Sequence, residues 1–309
     1  YVMSSHNSCC GGNLEKDFVD LVPLTETIKQ GARVLDFEIY SLDGEPVIAA
    51  GEEASANGKY LLKGTYNSLP FSQVMNQIKM MAFSGSVAPN SNDPLFLSFR
   101  IKTNNRNVFR NMSTIMNKIF SGMFLPQKFG YDGKFNKTGK DIIANIPILD
   151  LQRKVIIIIE DPLNNYRGTP FEAIVNMSGK AKDGSGMPFV NINKSIDVMQ
   201  TPDMQVMISD NKKFIGITRP DFTKKRKNPA SVAHHQLGNQ MVMMNFNIID
   251  AFLMQYIKFF SDTGSAFRLK PNHLRYFETK IPEPKKQEKK LSYGPRKMNM
   301  LGGAYSPKI

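Results

Sequence analysis

The stretch Val155-Ile-Ile-Ile-Ile159 places five β-branched residues in a row with no polar interruption. Such a run reads as a strand buried on both faces, since a half-exposed strand would alternate apolar with polar residues. A sheet of that kind needs helices on both sides, and the chain supplies candidates. Phe71 to Met81 carries apolar residues at helical spacing, and Pro23-Leu-Thr-Glu-Thr-Ile-Lys29 offers helix-start chemistry before Gly31. Val108 to Phe124 sets Phe109, Met112, Ile115, Met116, Ile119 and Phe120 on one broad face. Methionine and aromatic stripes of this sort are core far more often than cofactor pockets.

Further apolar strands end near Ser5, Ile39 and Phe99, and later segments read as strands at Gln205–Ile208, Phe214–Thr218 and Met241–Asn247. Strands alternating with helices argue for a parallel sheet, and 309 residues are enough to close it into a barrel of about 250 residues. The expected fold is therefore α/β, a distorted (β/α)8 barrel of the TIM type over residues 1–277. A stretch of low periodicity, about 161–200, is expected to be a linker-like loop region containing the polar run Gly179–Gly186. From residue 278 the chain turns basic and proline-bearing, and 278–309 is expected to be an extended tail that packs, if at all, on a partner.

Composition narrows the classes further. No apolar run approaches the ~20 residues of a membrane-spanning helix. The two cysteines, Cys9 and Cys10, are adjacent and cannot staple distant parts of a fold, which favours a reducing compartment. The net charge is +13, enough to attract anionic partners; the bland alternative is a solvated basic face that aids solubility. Residue 1 is Tyr and lies inside an apparent strand, so residues before it are expected. No glycine-rich nucleotide loop, cysteine metal cluster, Gly-x-Ser-x-Gly elbow or specific nucleic-acid motif is found.

Chemistry-bearing residues gather at two strand ends. Tyr1–Ser8 ends an apolar run in Ser4-Ser5-His6-Asn7, and Gly31–Tyr40 carries Asp36 and Glu38 two residues apart, on one face of a strand. One histidine and two carboxylates at strand ends suit a phosphodiester site. The chain has only four histidines, and the pair His234-His235 before the last strand reads as a surface pair, since no third metal ligand accompanies it.

Four ordered segments resemble the catalytic barrel of eukaryotic phosphoinositide-specific phospholipase C. Tyr1–Ser8 is similar to its "SSHN" opening, and Gly31–Gly51 to the next catalytic segment. Gly238–Phe246 resembles "GCQMVALNF", and Arg268–Pro271 with Leu274-Arg275 resembles "VLKP…LR". The resemblance spans roughly residues 1–276. It implies that His6 stands at the first catalytic histidine and Asn7 at a calcium ligand. It puts Asp36 and Glu38 at two acidic metal positions, although the family order is Glu then Asp. Arg219, in Thr218-Arg-Pro220, falls on a substrate-contacting arginine, while the tyrosine two residues on is Asp221.

Other positions depart from the family. Its second histidine, in "EPVVYHG", is Ala50 in Glu45-Pro-Val-Ile-Ala-Ala50-Gly51, and alanine moves no proton. Its acidic "ILSLE" position becomes Arg100 in Phe96-Leu-Ser-Phe-Arg100, a cation where a cation should bind. The phosphate-contacting lysines after "KGKIL" are replaced by Glu160-Asp161. Calcium, the family's cofactor, is therefore not expected, and Arg100 is expected to pair with Asp36 or Glu38 instead.

These departures imply a catalytically degenerate barrel serving as a structural or interaction protein. Asn, Lys, Ile and Met are abundant and Trp is absent, which is compatible with an AT-rich genome such as that of a large DNA virus. On that reading the setting is cytoplasmic or a virion, with a protein partner bound through the basic tail. One alternative is a binder of phosphoinositide or anionic lipid; another is a metal-independent phosphodiesterase using His6 and Arg100. The flanking lipid-binding domains and the large inserted regulatory domain of many relatives are not expected.

Overall fold

The computed structural model describes residues 1–12, 17–51, 53–54, 61–126, 129, 143, 146–179, 190–221 and 226–277. The strands are β1 (Ser4–Ser5), β2 (Val34–Leu42), β3 (Glu45–Ala49), β4 (Glu53–Ala54), β5 (Leu61–Leu62), β6 (Leu69–Pro70), β7 (Leu95–Ile101) and β8 (Val155–Glu160). They continue as β9 (Val175–Ser178), β10 (Val190–Lys194), β11 (Ile215–Arg219) and β12 (Met241–Met244). The helices are α1 (Leu21–Lys29), α2 (Phe71–Ala82), α3 (Arg106–Ile119), α4 (Ser195–Met199), α5 (Met204–Lys213), α6 (Ser231–Gln236) and α7 (Ala251–Ser261).

Eight of these strands run parallel in the order β10-β11-β12-β1-β2-β7-β8-β9. A parallel bridge between Gly179 and Val190 joins β9 to β10, so the sheet closes on itself. The barrel is distorted because β8 and β9 are linked by the 3-10 turn Pro170–Ile174 in place of an α-helix. After β2 the chain also doubles back, pairing β3 antiparallel to it with Leu42 opposite Glu45.

The opening run behaves as its composition dictates. Ile156 and Ile158 pack inside the barrel with Val34, Phe96, Ile217 and Met243. Val155, Ile157 and Ile159 face the helix layer with Phe99, Phe109, Met112 and Val74. Alternate residues of one strand thus enter two different cores, leaving no face for water.

Tyr1–Arg275 form one compact unit and Tyr276–Ile309 a second, of which residues 276 and 277 alone are described. The basic tail expected over 278–309 lies outside the described residues, as does the polar run from residue 180.

Four expectations about the elements need correction. Gln205–Ile208 is not a strand but part of α5, started by Asp203, whose side chain accepts from the Val206 N–H. Four apolar-rich residues do not separate helix from strand, and here the cap decides. The region 161–200 is not simply linker, since it holds β9, β10 and α4. Those strands are four and five residues long and pair with distant partners, so they leave little periodicity to read. The helix expected over Val108–Phe124 runs from Arg106 to Ile119, starting where the Asn105 side chain caps the Asn107 N–H. The strand expected over Met241–Asn247 stops at Met244.

The pair His234-His235 is buried rather than superficial. His234 Nε2 lies 2.9 Å from Ser195 Oγ. The His235 ring stacks on Tyr1 with centroids 4.3 Å apart and lies 5.0 Å from Phe259. Both sit on α6; aromatic rings surround His235, while His234 is held against Ser195.

Burial lowers the His234 pKa to about 4 and the His235 pKa to about 3. Below an unfolded value near 6.5, the unfolded chain takes up protons that the folded one refuses. Stability is therefore complete above pH 6.5 and falls on acidification towards these folded values, by up to about 1.4 kcal/mol per pH unit for each ring. His235→Phe keeps the stacking and removes the titration. Urea midpoints measured from pH 7 to 4 should show a slope shallower by about that amount in the variant; parallel slopes would refute the assignment.

Candidate active site

Barrel geometry turns sequence alternation into layers. In β2, Val34, Asp36 and Glu38 point the same way, and register sets Asp36 beside Ser98 and Glu38 beside Arg100. The next strand continues the row, with Arg100 beside Glu160. The inward layer thus changes from Val34, Phe96 and Ile156 low in the barrel to Glu38, Arg100 and Glu160 at its C-terminal end. That is where barrel enzymes build their sites.

Asp36 is fully buried and lies at the centre. Its carboxylate accepts from Ser98 Oγ at 2.9 Å, from Arg100 Nε at 3.1 Å and Nη2 at 2.8 Å, and from the Asn7 N–H at 3.3 Å. Arg100 Nη1 reaches Glu38 at 2.6 Å, and Nη2 also donates to the Asn7 side-chain oxygen. Tyr40 donates to the second Glu38 oxygen at 2.7 Å. One guanidinium therefore satisfies three oxygen-bearing side chains.

Asn7 can take part because its backbone is left-handed, with φ at 42°, a conformation that Asn tolerates better than most residues. The loop is held by Ser8, whose N–H donates to the Asp36 carbonyl and whose hydroxyl accepts from the Asp36 N–H.

His6 stands beside this cluster at the end of β1, with Nε2 3.9 Å from Asp36. Its Nδ1 is 3.2 Å from the Asn245 side-chain oxygen. The Asn245 amide nitrogen donates to the Lys227 carbonyl, so the oxygen is the group left facing His6 and Nδ1 carries the proton. Nε2 then presents a lone pair to the site. The side chain is only 15% exposed. Burial, reinforced by Arg100, lowers its pKa to about 3 despite the opposing pull of Asp36, so it is neutral at physiological pH.

Burial alone would raise the Asp36 pKa, but Arg100 and then Arg219 outweigh it and hold the carboxyl well below its usual range. Burial would likewise lower the Arg100 pKa, and Asp36 and Glu38 reverse that, keeping it charged. Arg219 at the end of β11 pairs with Glu160, and its Nη2 lies 3.9 Å from Asp36.

The structure thus brings together His6, Asn7, Asp36, Glu38, Arg100 and Arg219. Ala50 follows β3 and is buried, with its N–H 3.3 Å from the Thr65 hydroxyl. Sequence reasoning did not single out Asn245 or the Glu160–Arg219 pair. Asn245 was findable from period two, as the next inward residue after Met243. In the sequence Glu160 reads only as a residue in a lysine's place, and its position beside Arg100 needed the register of β8 against β7, which a sequence alone does not carry.

Calcium does not fit this arrangement. The three oxygen ligands it would draw on, from Asn7, Asp36 and Glu38, already converge on a guanidinium bonded to all of them. Removing that cation tests how far the cluster depends on it. Arg100→Gln leaves two carboxylates facing each other in a buried site and should destabilise the fold by about 3–5 kcal/mol at pH 7. Urea unfolding measures it, and a loss under 1 kcal/mol would show the cluster to be solvated rather than mutually dependent.

Comparison with known proteins agrees with the geometry. Residues 1–160 match the family phosphatidylinositol-specific phospholipase C, X domain. Among solved structures, the chain is similar to S. officinalis PLC21, with a TM-score of 0.68 and 17% identity over 91% of this chain and 38% of that one. L. pealei PLC21 gives a TM-score of 0.66 at 17% identity, over 89% of this chain and 37% of that one. The chain thus spans less than two fifths of either, and the likeness concerns the fold. No curated protein matches by sequence. With the matched segment covering more than half of its length, the chain belongs to the phosphatidylinositol-specific phospholipase C X-domain family.

Proposed function

We propose that this chain is a non-catalytic member of that family, a barrel retained for its surfaces and used as a structural or interaction protein. The supporting observation is Arg100, whose guanidinium bridges Asn7, Asp36 and Glu38. A metal that polarises a phosphate must exchange solvent for substrate oxygens. A side chain already bonded to three acceptors has little left to offer a substrate. Ala50, standing where the resembled family has its second histidine, removes the other proton-transfer group. Together these changes cost roughly 6 kcal/mol of transition-state stabilisation if each is worth ~3.

Release of inositol phosphate from mixed phosphatidylinositol micelles tests this reading. The chain and His6→Ala should give equal, background-level traces. Turnover that His6→Ala abolishes would establish a metal-independent phosphodiesterase instead. Calorimetry with millimolar calcium should show no saturable heat, and a 1:1 isotherm lost in Asn7→Ala would overturn the placement of Arg100.

A second reading, binding to an anionic lipid surface, is favoured by exposed apolar residues in the loops that follow barrel strands. Phe18 and Tyr66 stand 55% and 67% exposed with their rings 5.1 Å apart, and Ile249 is 80% exposed. The basic run Lys285–Lys297 would add attraction of about 1 kcal/mol per residue near the surface. Co-sedimentation with phosphatidylserine vesicles separates the contributions. Phe18→Ser with Ile249→Ser should weaken binding if the rim inserts, and deleting 285–297 should weaken it if charge dominates. Loss in neither leaves a protein partner, in a cytoplasmic or virion assembly, as the ligand of these surfaces.

A further inference from the structure

The opposite, N-terminal end of the barrel holds a second feature that the site chemistry does not use. A cavity of about 500 Å³ opens there, within the size range of about 300–1,000 Å³ for small-molecule sites. Its walls include Val2, Phe96, Met177, Ile215, Met241 and Phe267. Phe96, Ile215 and Met241 stand at the first or second position of their strands, so the cavity is the unfilled bottom layer of the barrel. That layer is ordinarily packed by branched side chains. Here methionine and phenylalanine stand among the branched residues of the lining, and methionine accommodates varied apolar shapes.

The rim differs from the walls. Arg268 lines it, with its guanidinium 4.1 Å above the Phe259 ring and one N–H donated to the Phe259 carbonyl. The ring and the carbonyl fix the guanidinium in place, and a guanidinium has five N–H donors in all. Leu269, also on the rim, is 75% exposed. Apolar walls below a positioned cation match an amphiphile with one alkyl chain and one anionic group.

We propose that this cavity binds a single-chain anionic amphiphile, a fatty carboxylate or its chemical equivalent, with the chain between Phe96, Ile215 and Met241 and the carboxylate at Arg268. The site lies at the far end of the strands from His6 and Arg100, so it does not depend on whether the chain hydrolyses phosphodiesters.

Titration of the 309-residue chain with 11-(dansylamino)undecanoic acid, followed by displacement with dodecanoate, is the test. Saturable one-to-one fluorescence enhancement reversed by dodecanoate is expected. Ile215→Phe, which fills the cavity, should weaken binding by about tenfold or more at an unchanged melting temperature. Arg268→Gln should weaken dodecanoate about tenfold and leave 1-dodecanol unaffected. Equal affinity in the native chain and Ile215→Phe would overturn the proposal, as would 1-dodecanol binding as tightly as dodecanoate. If Ile215→Phe does not fold, Leu269→Asp decides. That position is exposed and its new carboxylate opposes the bound one, so unchanged affinity there also overturns the site.

Discussion

A guanidinium held among three oxygen-bearing side chains is the contact on which the C-terminal end of this barrel depends. Asp36 and Glu38 point the same way from one strand and are both almost fully buried. Two carboxylates so placed cannot both remain ionised in a dry site without a compensating cation. Arg100 supplies that charge, and it arrives by register, because β7 sets it directly beside Glu38. Its planar fork also suits the task, since separate N–H groups can address Asp36, Glu38 and Asn7 at once, which a point charge such as lysine could not do with comparable direction.

The substitution propagates to neighbouring strands. Arg100 is flanked by Glu38 on one side and Glu160 on the other, so charges alternate acid, base, acid across three strands. Glu160 in turn engages Arg219 from across the barrel. Charge is thereby balanced within the cluster. His6 shares the consequence. Set near two guanidinium groups and largely buried, it stays neutral across the physiological range, and its proton is committed to Asn245.

Much of this was legible in the sequence, for identifiable reasons. The five-residue β-branched run at Val155 announced a doubly buried strand, and period two placed Asp36 and Glu38 on one face. The cluster around Arg100 followed from an arginine standing at a position that should have been acidic. What failed to be legible depended on distant pairing or on short elements. Strands β9 and β10 carry too few residues to show a period, and the helix α5 turned on a single capping aspartate. The burial of His235 was invisible because the aromatic residues around it, Tyr1, Tyr256 and Phe259, come from the two ends of the unit.

If the chain is non-catalytic as proposed, an arginine where the resembled family places a metal also changes what such a site can become. An ion can leave, exchange ligands and respond to its own concentration, whereas a side chain tethered to β7 can do none of these. The exchange gives up adjustability for permanence. On that proposal side chains can close the site, and the His6 side chain is 15% exposed. On the same proposal, a gain of catalysis would require more than one step. Replacing Arg100 alone leaves the carboxylates unbalanced unless an ion enters, and a histidine at Ala50 alone adds a proton donor with no polarised phosphate to serve. Each single change is then unfavourable or without effect by itself.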